Sequence, residues 1–205
     1  MRLLTAIIVC LIVILFIQAV KAPAYDIIIR QGTLYDGSGN KPYVADIGIN
    51  SDTIATIGNL SAATGKTEID AKGLAVAPGF INMLSMAERS LLMDGRSMSD
   101  IKQGVTLEVM GEGWSAGPAK RKSAKPVDSL WTTLDGYFKW VMKKGTSTNV
   151  ASFVGATTVR NYVLGQENRK PTAAEQQKMN NLVREAMEQG AMGLSTSLIY
   201  APADF

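Results

Sequence analysis

The stretch "PTAAEQQKMNNLVREAMEQGAMGLSTSLIYAP" (residues 171–202) decides the fold class, because a helix pattern passes directly into a strand pattern. Thr172 and Glu175 have the spacing of a capping box and predict where the helix begins. One apolar stripe with helical spacing follows and is formed by Met179, Leu182, Val183, Ala186 and Met187. Gly190 ends the helix, and "AMGLSTSLIYAP" (191–202) is then predicted to be a strand.

The same alternation of strand and helix runs back to Leu74. Apolar "LAVAPGFIN" (74–82) is followed by helix-like "SMSDIKQG" (97–104) and by the strand "VTLEVMG" (105–111). A helix, "LDGYFKWVMKKG" (134–145), and a strand, "NVASFVGA" (149–156), come next. These strands are too apolar to have a face in water, which indicates an α/β fold with a parallel sheet covered by helices. Four such units suit either half of an eight-stranded barrel or a small open sheet.

Residues 25–76 have a different pattern, that of a small β domain. "YDIIIRQGTLYDGSGN" (25–40) alternates and then breaks at two turn signals, Asp36-Gly37 and Gly39-Asn40. "VADIGINSDTIATIG" (44–58) repeats the pattern around a turn at residues 50–52. We therefore expect paired strands here, with few chemical groups of their own.

The N-terminus carries an apolar run at residues 3–20, behind a single basic residue. Small residues at Ala22 and Ala24 fit the positions that a signal peptidase reads, so the pattern predicts a signal peptide. The alternative is an uncleaved anchor, because the run is about as long as the shortest membrane spans, roughly 17 residues. Either reading predicts that the rest of the chain is exported, to the periplasm or the medium. The chain is thus divided into the N-terminal segment 1–24, the β domain 25–76 and the α/β part 77–205.

Composition limits the function classes. An apolar fraction of 46% and a charged fraction of 19% describe a globular protein. Without Arg2 and Lys21 the chain has 19 basic and 18 acidic residues, so a nucleic-acid footprint is absent. The chain has no histidine, and its single cysteine, Cys10, lies in the apolar run. Any metal site must therefore use oxygen ligands or residues from elsewhere.

Several motifs resemble one family when they are taken in order. They are "YDIIIRQGTLYDGSGNKPYVADIGINSDTIATIGNL" (25–60), "LAVAPGFIN" (74–82), "QGVTLEVMGEG" (103–113), "NVASFVGATTVR" (149–160) and "MGLSTSLIYAP" (192–202). Together they resemble the amidohydrolases of the D-aminoacylase, or N-acyl-D-amino-acid deacylase, type. The resemblance runs from Tyr25 to Pro202 without large gaps.

This resemblance implies a zinc-dependent hydrolase that cleaves the amide bond of N-acyl-D-amino acids or related small molecules. It implies a partial (β/α)8 TIM barrel of about four βα units, preceded by a small β-sandwich segment. The family's zinc-binding histidines of strands five and six and its catalytic aspartate would lie beyond Phe205. The isolated chain is therefore expected to be inactive, either as part of a longer enzyme or as a truncated remnant.

The stretch "PGFINMLSMAE" (78–88) departs from the family pattern. Leu84 and Met86 stand where the wider superfamily has a pair of histidines. Leucine has no lone pair, and a thioether is a poor zinc ligand, so this strand does not hold a second metal. We expect a one-metal site, with Leu84 and Met86 in the core or a pocket wall.

Glu112 is the candidate metal ligand of this chain. It follows a strand at the end where barrel enzymes place catalytic groups, and a family cysteine ligand occupies about this place. The alternative is a carboxylate that accepts hydrogen bonds from the turn amides of Gly113 and Trp114. Glu108 has the same parity as Glu112 and is predicted to be structural, with a buried partner.

Two further residues are predicted to contact the substrate. Tyr200, at the end of the predicted fourth strand, matches a family tyrosine near the metal and could donate a hydrogen bond to a carbonyl. Arg160 could pair with a substrate carboxylate, and its alternative is a salt bridge within the scaffold. Ser115, Ser195 and Thr196 lie near strand ends, but a serine nucleophile without a histidine base is excluded.

Overall fold

The computed structural model describes residues 24–120 and 131–201. The predicted signal peptide or anchor, with Cys10, therefore lies outside the described residues. The chain divides into two compact units at Pro78 and Gly79, two residues after the predicted boundary. Within the described part, every helix is too short or too polar to cross a membrane.

The first unit is one mixed sheet in the order β3-β2-β1-β4, with β5 also beside β1. Its strands are β1 (Tyr25–Leu34), β2 (Tyr43–Asn50), β3 (Thr53–Gly58), β4 (Gly65–Asp70) and β5 (Ala75–Val76). Strand β1 pairs antiparallel with β2, and β2 pairs antiparallel with β3. Both predicted turns are thus confirmed, while β4 and β5 run parallel to β1.

A buried carboxylate ties this sheet to its loops. Asp46 accepts hydrogen bonds from the amides of Gln31 at 2.8 Å and Leu60 at 3.0 Å. The Gln31 amide in particular lowers the pKa of Asp46. Arg30 binds Glu68 and donates to the Leu60 carbonyl, so these polar groups are occupied in holding the unit together.

The second unit alternates strand and helix as predicted. Its elements are β6 (Phe80–Asn82), α1 (Ser90–Met93), α2 (Met98–Ile101), β7 (Val105–Met110), α3 (Leu134–Lys144), β8 (Asn149–Ser152), β9 (Val154–Gly155), α4 (Ala156–Leu164), α5 (Ala173–Glu188) and β10 (Leu194–Ser195). Strands β6, β7 and β8 pair in parallel, and β9 pairs in parallel with β10. The prediction of an α/β fold with parallel strands is confirmed.

Two strand predictions were too long. The segment 149–156 is divided at Phe153 between β8 and β9, and Ala156 already begins α4. The segment 191–202 forms a strand at Leu194 and Ser195, after which the chain turns. Periodicity overestimated the last strand because its apolar residues, including Leu198 and Ile199, are exposed.

Helix α5 begins with the predicted capping box. The Glu175 amide donates to the Thr172 hydroxyl at 3.3 Å, and the Glu175 carboxylate accepts from the Thr172 amide at 2.8 Å. The apolar stripe packs on a buried cluster of Leu134, Val154, Val159, Ala186 and Ala191, with Met179, Leu182 and Val183. Met187 is 44% exposed, so its assignment to the stripe was wrong.

A second cluster holds β7 to the helices. Met110, at the end of β7, is buried with Leu91, Tyr137 and Val141 of α1 and α3. The Trp131 ring stands edge-on to Tyr137 at a centroid distance of 5.1 Å. The face of β7 that carries Met110 is therefore the helix-covered face, which fixes the end of this strand in place.

Candidate active site

The site begins where β7 ends, in the turn Gly111–Trp114. Gly111 has a φ of +93° and Gly113 a φ of +66°. Residues other than glycine are strained at positive φ. A Cβ atom on Gly111 would also press on the carbonyl oxygen of Phe153. Glycine at both positions therefore lets the chain leave the strand sharply and places Glu112 between them.

Neighbouring strand ends fix this turn. The Ser195 hydroxyl of β10 donates to the Gly111 carbonyl and accepts from the Gly113 amide, the latter at 3.1 Å. The Gly113 carbonyl accepts from the amides of Thr157 at 3.0 Å and Thr158 at 3.3 Å, in the first turn of α4. The C-terminal ends of β7, β9 and β10 thus meet at one place, the edge at which parallel α/β sheets carry their sites.

Glu112 is half-buried, and its carboxylate is not used by this turn. The Gly113 amide is bound to Ser195, and the Trp114 amide donates to the backbone carbonyl of Glu112 at 2.7 Å. In residues 24–120 and 131–201 we find no hydrogen bond to the Glu112 carboxylate. The alternative role, an acceptor of turn amides, does not occur here, and the metal role stays a prediction.

Glu108 is fully buried and structural, as predicted. Its carboxylate accepts hydrogen bonds from three hydroxyls: Ser85 at 2.7 Å, Ser97 at 2.6 Å and Thr148 at 2.8 Å. The expected buried partner is therefore a set of hydroxyls. The parity argument that linked Glu108 to Glu112 was wrong, because β7 ends at Met110 and the positive φ of Gly111 breaks the alternation.

The two residues predicted to contact the substrate belong to other segments of the chain than this turn. Tyr200 is 60% exposed in a turn after β10, so it does not end a strand as predicted. Arg160 belongs to α4, and its Nη2 donates to the carbonyls of Glu167 and Arg169, each at 2.9 Å. The scaffold thus holds Arg160 through backbone carbonyls, and both substrate roles stay predictions.

Glu88 is a residue that the sequence reasoning missed. Its half-buried carboxylate accepts a hydrogen bond from the Gly111 amide at 3.2 Å, and burial raises the pKa of this carboxyl group. Its backbone carbonyl accepts from the Tyr137 hydroxyl at 3.2 Å. The signal was present, since Glu88 follows Leu84 and Met86 in the same segment after β6 and could be expected at the same sheet edge.

A cavity of about 430 Å³ lies beside Glu88. Its walls come from the segment after β6, the loop after β7 and helix α4. Met86 is 69% exposed and lines this cavity, which confirms a pocket-wall position. Leu84 is 56% exposed, so a core position is wrong for it.

The residues described do not fit a complete zinc site. Within residues 24–120 and 131–201, no three side chains of histidine, cysteine, aspartate or glutamate come together. The Glu108 carboxylate is occupied by hydroxyls, and the Glu88 carboxylate accepts from Gly111. Glu112 could supply one ligand, whereas zinc in proteins takes three or four.

Comparison with known proteins finds homologues that the chain matches over part of their length. No protein-family model matches the chain. D-aminoacylase from Alcaligenes xylosoxydans xylosoxydans is 36% identical over 188 residues, which cover 87% of this chain and 39% of that protein. N-acyl-D-aspartate deacylase from the same organism is 34% identical, over 89% of this chain and 39% of the relative.

A solved structure extends this likeness to three dimensions. N-acyl-D-glutamate deacylase from Bordetella bronchiseptica superposes with a TM-score of 0.79 at 32% identity, over 88% of this chain and 40% of that one. That protein was solved with zinc and a phosphonate inhibitor that mimics the tetrahedral intermediate.

These likenesses show homology to amidohydrolases. Within that class, the chain is strongly homologous to the D-aminoacylases and the N-acyl-D-amino-acid deacylases. It spans about two fifths of the length of the relatives that it matches.

Proposed function

We propose that this polypeptide is part of a metal-dependent amidohydrolase that hydrolyses the amide bond of N-acyl-D-amino acids or related molecules. The observation that carries the proposal is the turn after β7. Ser195 of β10 and the first turn of α4 hold this turn, and the Glu112 carboxylate is left without a structural partner among the described residues. Relatives named for this activity are 34–36% identical to the chain over the aligned residues.

We further propose that the second unit is a partial (β/α)8 barrel and that the first unit is part of a β-sandwich. Four parallel strand positions, β6, β7, β8 with β9, and β10, support the barrel because helices connect them in the expected order. A half barrel has two open strand edges. Exposed apolar residues along β6 and in and after β10 agree with this, among them Phe80, Ile81, Leu194 and Leu198.

In this proposal Glu112 supplies one ligand of a single zinc ion, and the remaining ligands come from outside the described residues. One-metal function has support from a D-aminoacylase structure, 34% identical with a TM-score of 0.78, that was described in terms of one-metal activation and second-metal attenuation. Tyr200 and Arg160 are proposed to contact the substrate. For Arg160 this requires that it release its bonds to the loop after α4.

We also propose that the protein is exported, to the periplasm or the medium, through the apolar segment at residues 3–20. Membrane anchoring by this segment is the alternative. Mass spectrometry of the mature N-terminus separates the two, since an end at Tyr25 excludes the uncleaved anchor.

Complementation tests the catalytic proposal. The isolated chain, given zinc and N-acetyl-D-amino acids, is expected to show no turnover above background. Co-production with the portion of a D-aminoacylase that this chain does not cover is expected to yield activity, and Glu112→Ala is expected to remove that activity. A soluble complex without activity would favour the other candidate, an inactive remnant.

A further inference from the structure

The wall of the cavity beside Glu88 is mostly apolar, although Arg89 and Lys120 also line it. Six of its lining residues present mostly apolar surface: Met86, Leu92, Trp114, Ala116, Pro118 and Trp131. Its volume of about 430 Å³ lies in the range of sites for small organic ligands, roughly 300–1,000 Å³. A two-carbon acetyl group would leave most of this space unfilled.

The cavity adjoins the turn that carries Glu112. Glu88 lies on the cavity wall and binds the Gly111 amide, one residue before Glu112. Trp114, two residues after Glu112, lines the same cavity. This cavity is therefore an apolar space next to the turn at which the reacting amide of a ligand would lie in the proposed function.

Glu88 is held at the cavity wall by two hydrogen bonds. The Tyr137 hydroxyl fixes its backbone and the Gly111 amide orients its side chain. Burial raises the pKa of Glu88, so the protonated carboxyl group persists to higher pH than in water. A protonated carboxyl group can donate a hydrogen bond to a carbonyl oxygen, which a carboxylate cannot.

We propose that this cavity binds the acyl group of the substrate and selects N-acyl-D-amino acids whose acyl group is apolar and larger than acetyl. This inference rests on the proposed function and specifies its substrate class. The driving force is the burial of methylene groups against the two tryptophans and Met86, and each buried methylene tightens binding by a few-fold.

Binding can be measured without catalysis. The full chain would be titrated with N-octanoyl-D-alanine and N-acetyl-D-alanine, with tryptophan fluorescence as the readout. Two of the three tryptophans, Trp114 and Trp131, line the cavity. N-octanoyl-D-alanine is expected to bind at least ten-fold more tightly than N-acetyl-D-alanine.

Two methionines give a matched pair of variants. Met86, 69% exposed, lines the cavity, whereas Met93, 86% exposed, lies at the end of α1 and does not line it. Both side chains are accessible to water, so either substitution is compatible with folding. Met86→Glu is expected to weaken binding of N-octanoyl-D-alanine at least ten-fold, and Met93→Glu less than two-fold.

Equal affinity for the octanoyl and acetyl compounds would overturn the inference, as would equal weakening by Met86→Glu and Met93→Glu. Binding and complementation are separate readouts. Complemented activity without acyl selectivity refutes the acyl site alone, and selective binding by a chain that never complements refutes the proposed catalysis alone.

Discussion

Glu108 and Glu112 stand four residues apart at the two ends of one short segment, and the structure treats them in opposite ways. Glu108, inside β7, is fully buried and accepts three hydroxyl hydrogen bonds. Glu112, beyond the strand, is half-buried with no hydrogen bond to its carboxylate in the part of the chain described. A carboxylate with all its partners in place serves the fold, whereas one that is held in position without partners is available for chemistry.

The glycine between them produces the difference. Up to Met110 the strand alternates, so Glu108 and Met110 share the face that α1, α2 and α3 cover. At Gly111 the positive φ turns the chain out of the strand and toward Ser195. One backbone angle thus separates the buried structural region from the candidate active site.

The largest effect on stability is expected for Glu108→Ala, which tests the structural role of Glu108 against that of Glu112. The substitution leaves three hydroxyl groups without their acceptor and opens a cavity in the core, so we expect a loss of about 3–4 kcal/mol in the free energy of unfolding. Urea unfolding followed by circular dichroism would measure it. Glu108→Gln keeps the shape and one acceptor oxygen and is expected to lose less. A loss below about 1 kcal/mol for Glu108→Ala would show that the hydroxyl set does not stabilise the fold.

A smaller effect is expected when one hydroxyl donor is removed. Thr148→Val deletes one donor to Glu108 with little change in shape and is expected to cost about 1–3 kcal/mol, the range for leaving a buried hydrogen-bonding group without its partner. Thr157→Val is the matched control. Thr157 is equally buried, but its hydroxyl has no hydrogen-bond partner among the described residues, so this change is expected to be neutral or stabilising. Equal losses in the urea midpoint would contradict the assigned role of Glu108.

These contacts mark the limit of what the sequence could predict. The α/β class, the parallel strands and the capping box at Thr172 follow from local periodicity and short spacings, and they are confirmed. The Glu108 set joins residues 85, 97, 108 and 148, which no periodic pattern relates. Strand parity failed at Gly111 because alternation assumes an extended backbone, and the last strand was overestimated because apolar residues also lie on exposed surfaces.

The sequence could predict where the candidate site lies, but not every residue that forms it. Strand ends predicted where Glu112 would lie, and Ser115 and Ser195 were expected nearby. Ser195 binds the Glu112 turn, and Ser115 binds Thr158. Glu88 was missed because its importance comes from burial and from the Gly111 amide, and both depend on how the segment after β6 folds against β7.

Glu88 is half-buried and accepts one hydrogen bond from a backbone amide, so it is intermediate between Glu108 and Glu112. The pH dependence of the free energy of unfolding, compared between Glu88→Gln and the parent, tests this. An acid whose pKa is raised on folding stabilises the folded state at low pH, and this contribution is lost as the pH rises from the ordinary value, about 4.3, through the folded value. Glutamine does not ionise but still accepts from Gly111. We therefore expect the variant to gain stability relative to the parent between pH 4 and pH 7, by less than about 1 kcal/mol because water screens a half-exposed group. If the variant and the parent differed in free energy of unfolding by the same amount at pH 4 and at pH 7, a raised pKa of Glu88 would be contradicted.

The smallest effect on stability is expected for Glu112→Gln. The carboxylate has no hydrogen bond to the described residues, and glutamine keeps its size, so the free energy of unfolding should change by less than about 0.5 kcal/mol. Circular dichroism in urea would measure this beside Glu108→Gln, the same substitution four residues earlier. If Glu112→Gln lost as much stability as Glu108→Gln, both carboxylates would serve the fold and the case for chemistry at Glu112 would fail. If only Glu108→Gln lost stability, while Glu112→Gln removed the activity of the complemented enzyme, the two carboxylates would differ in function as they differ in contacts.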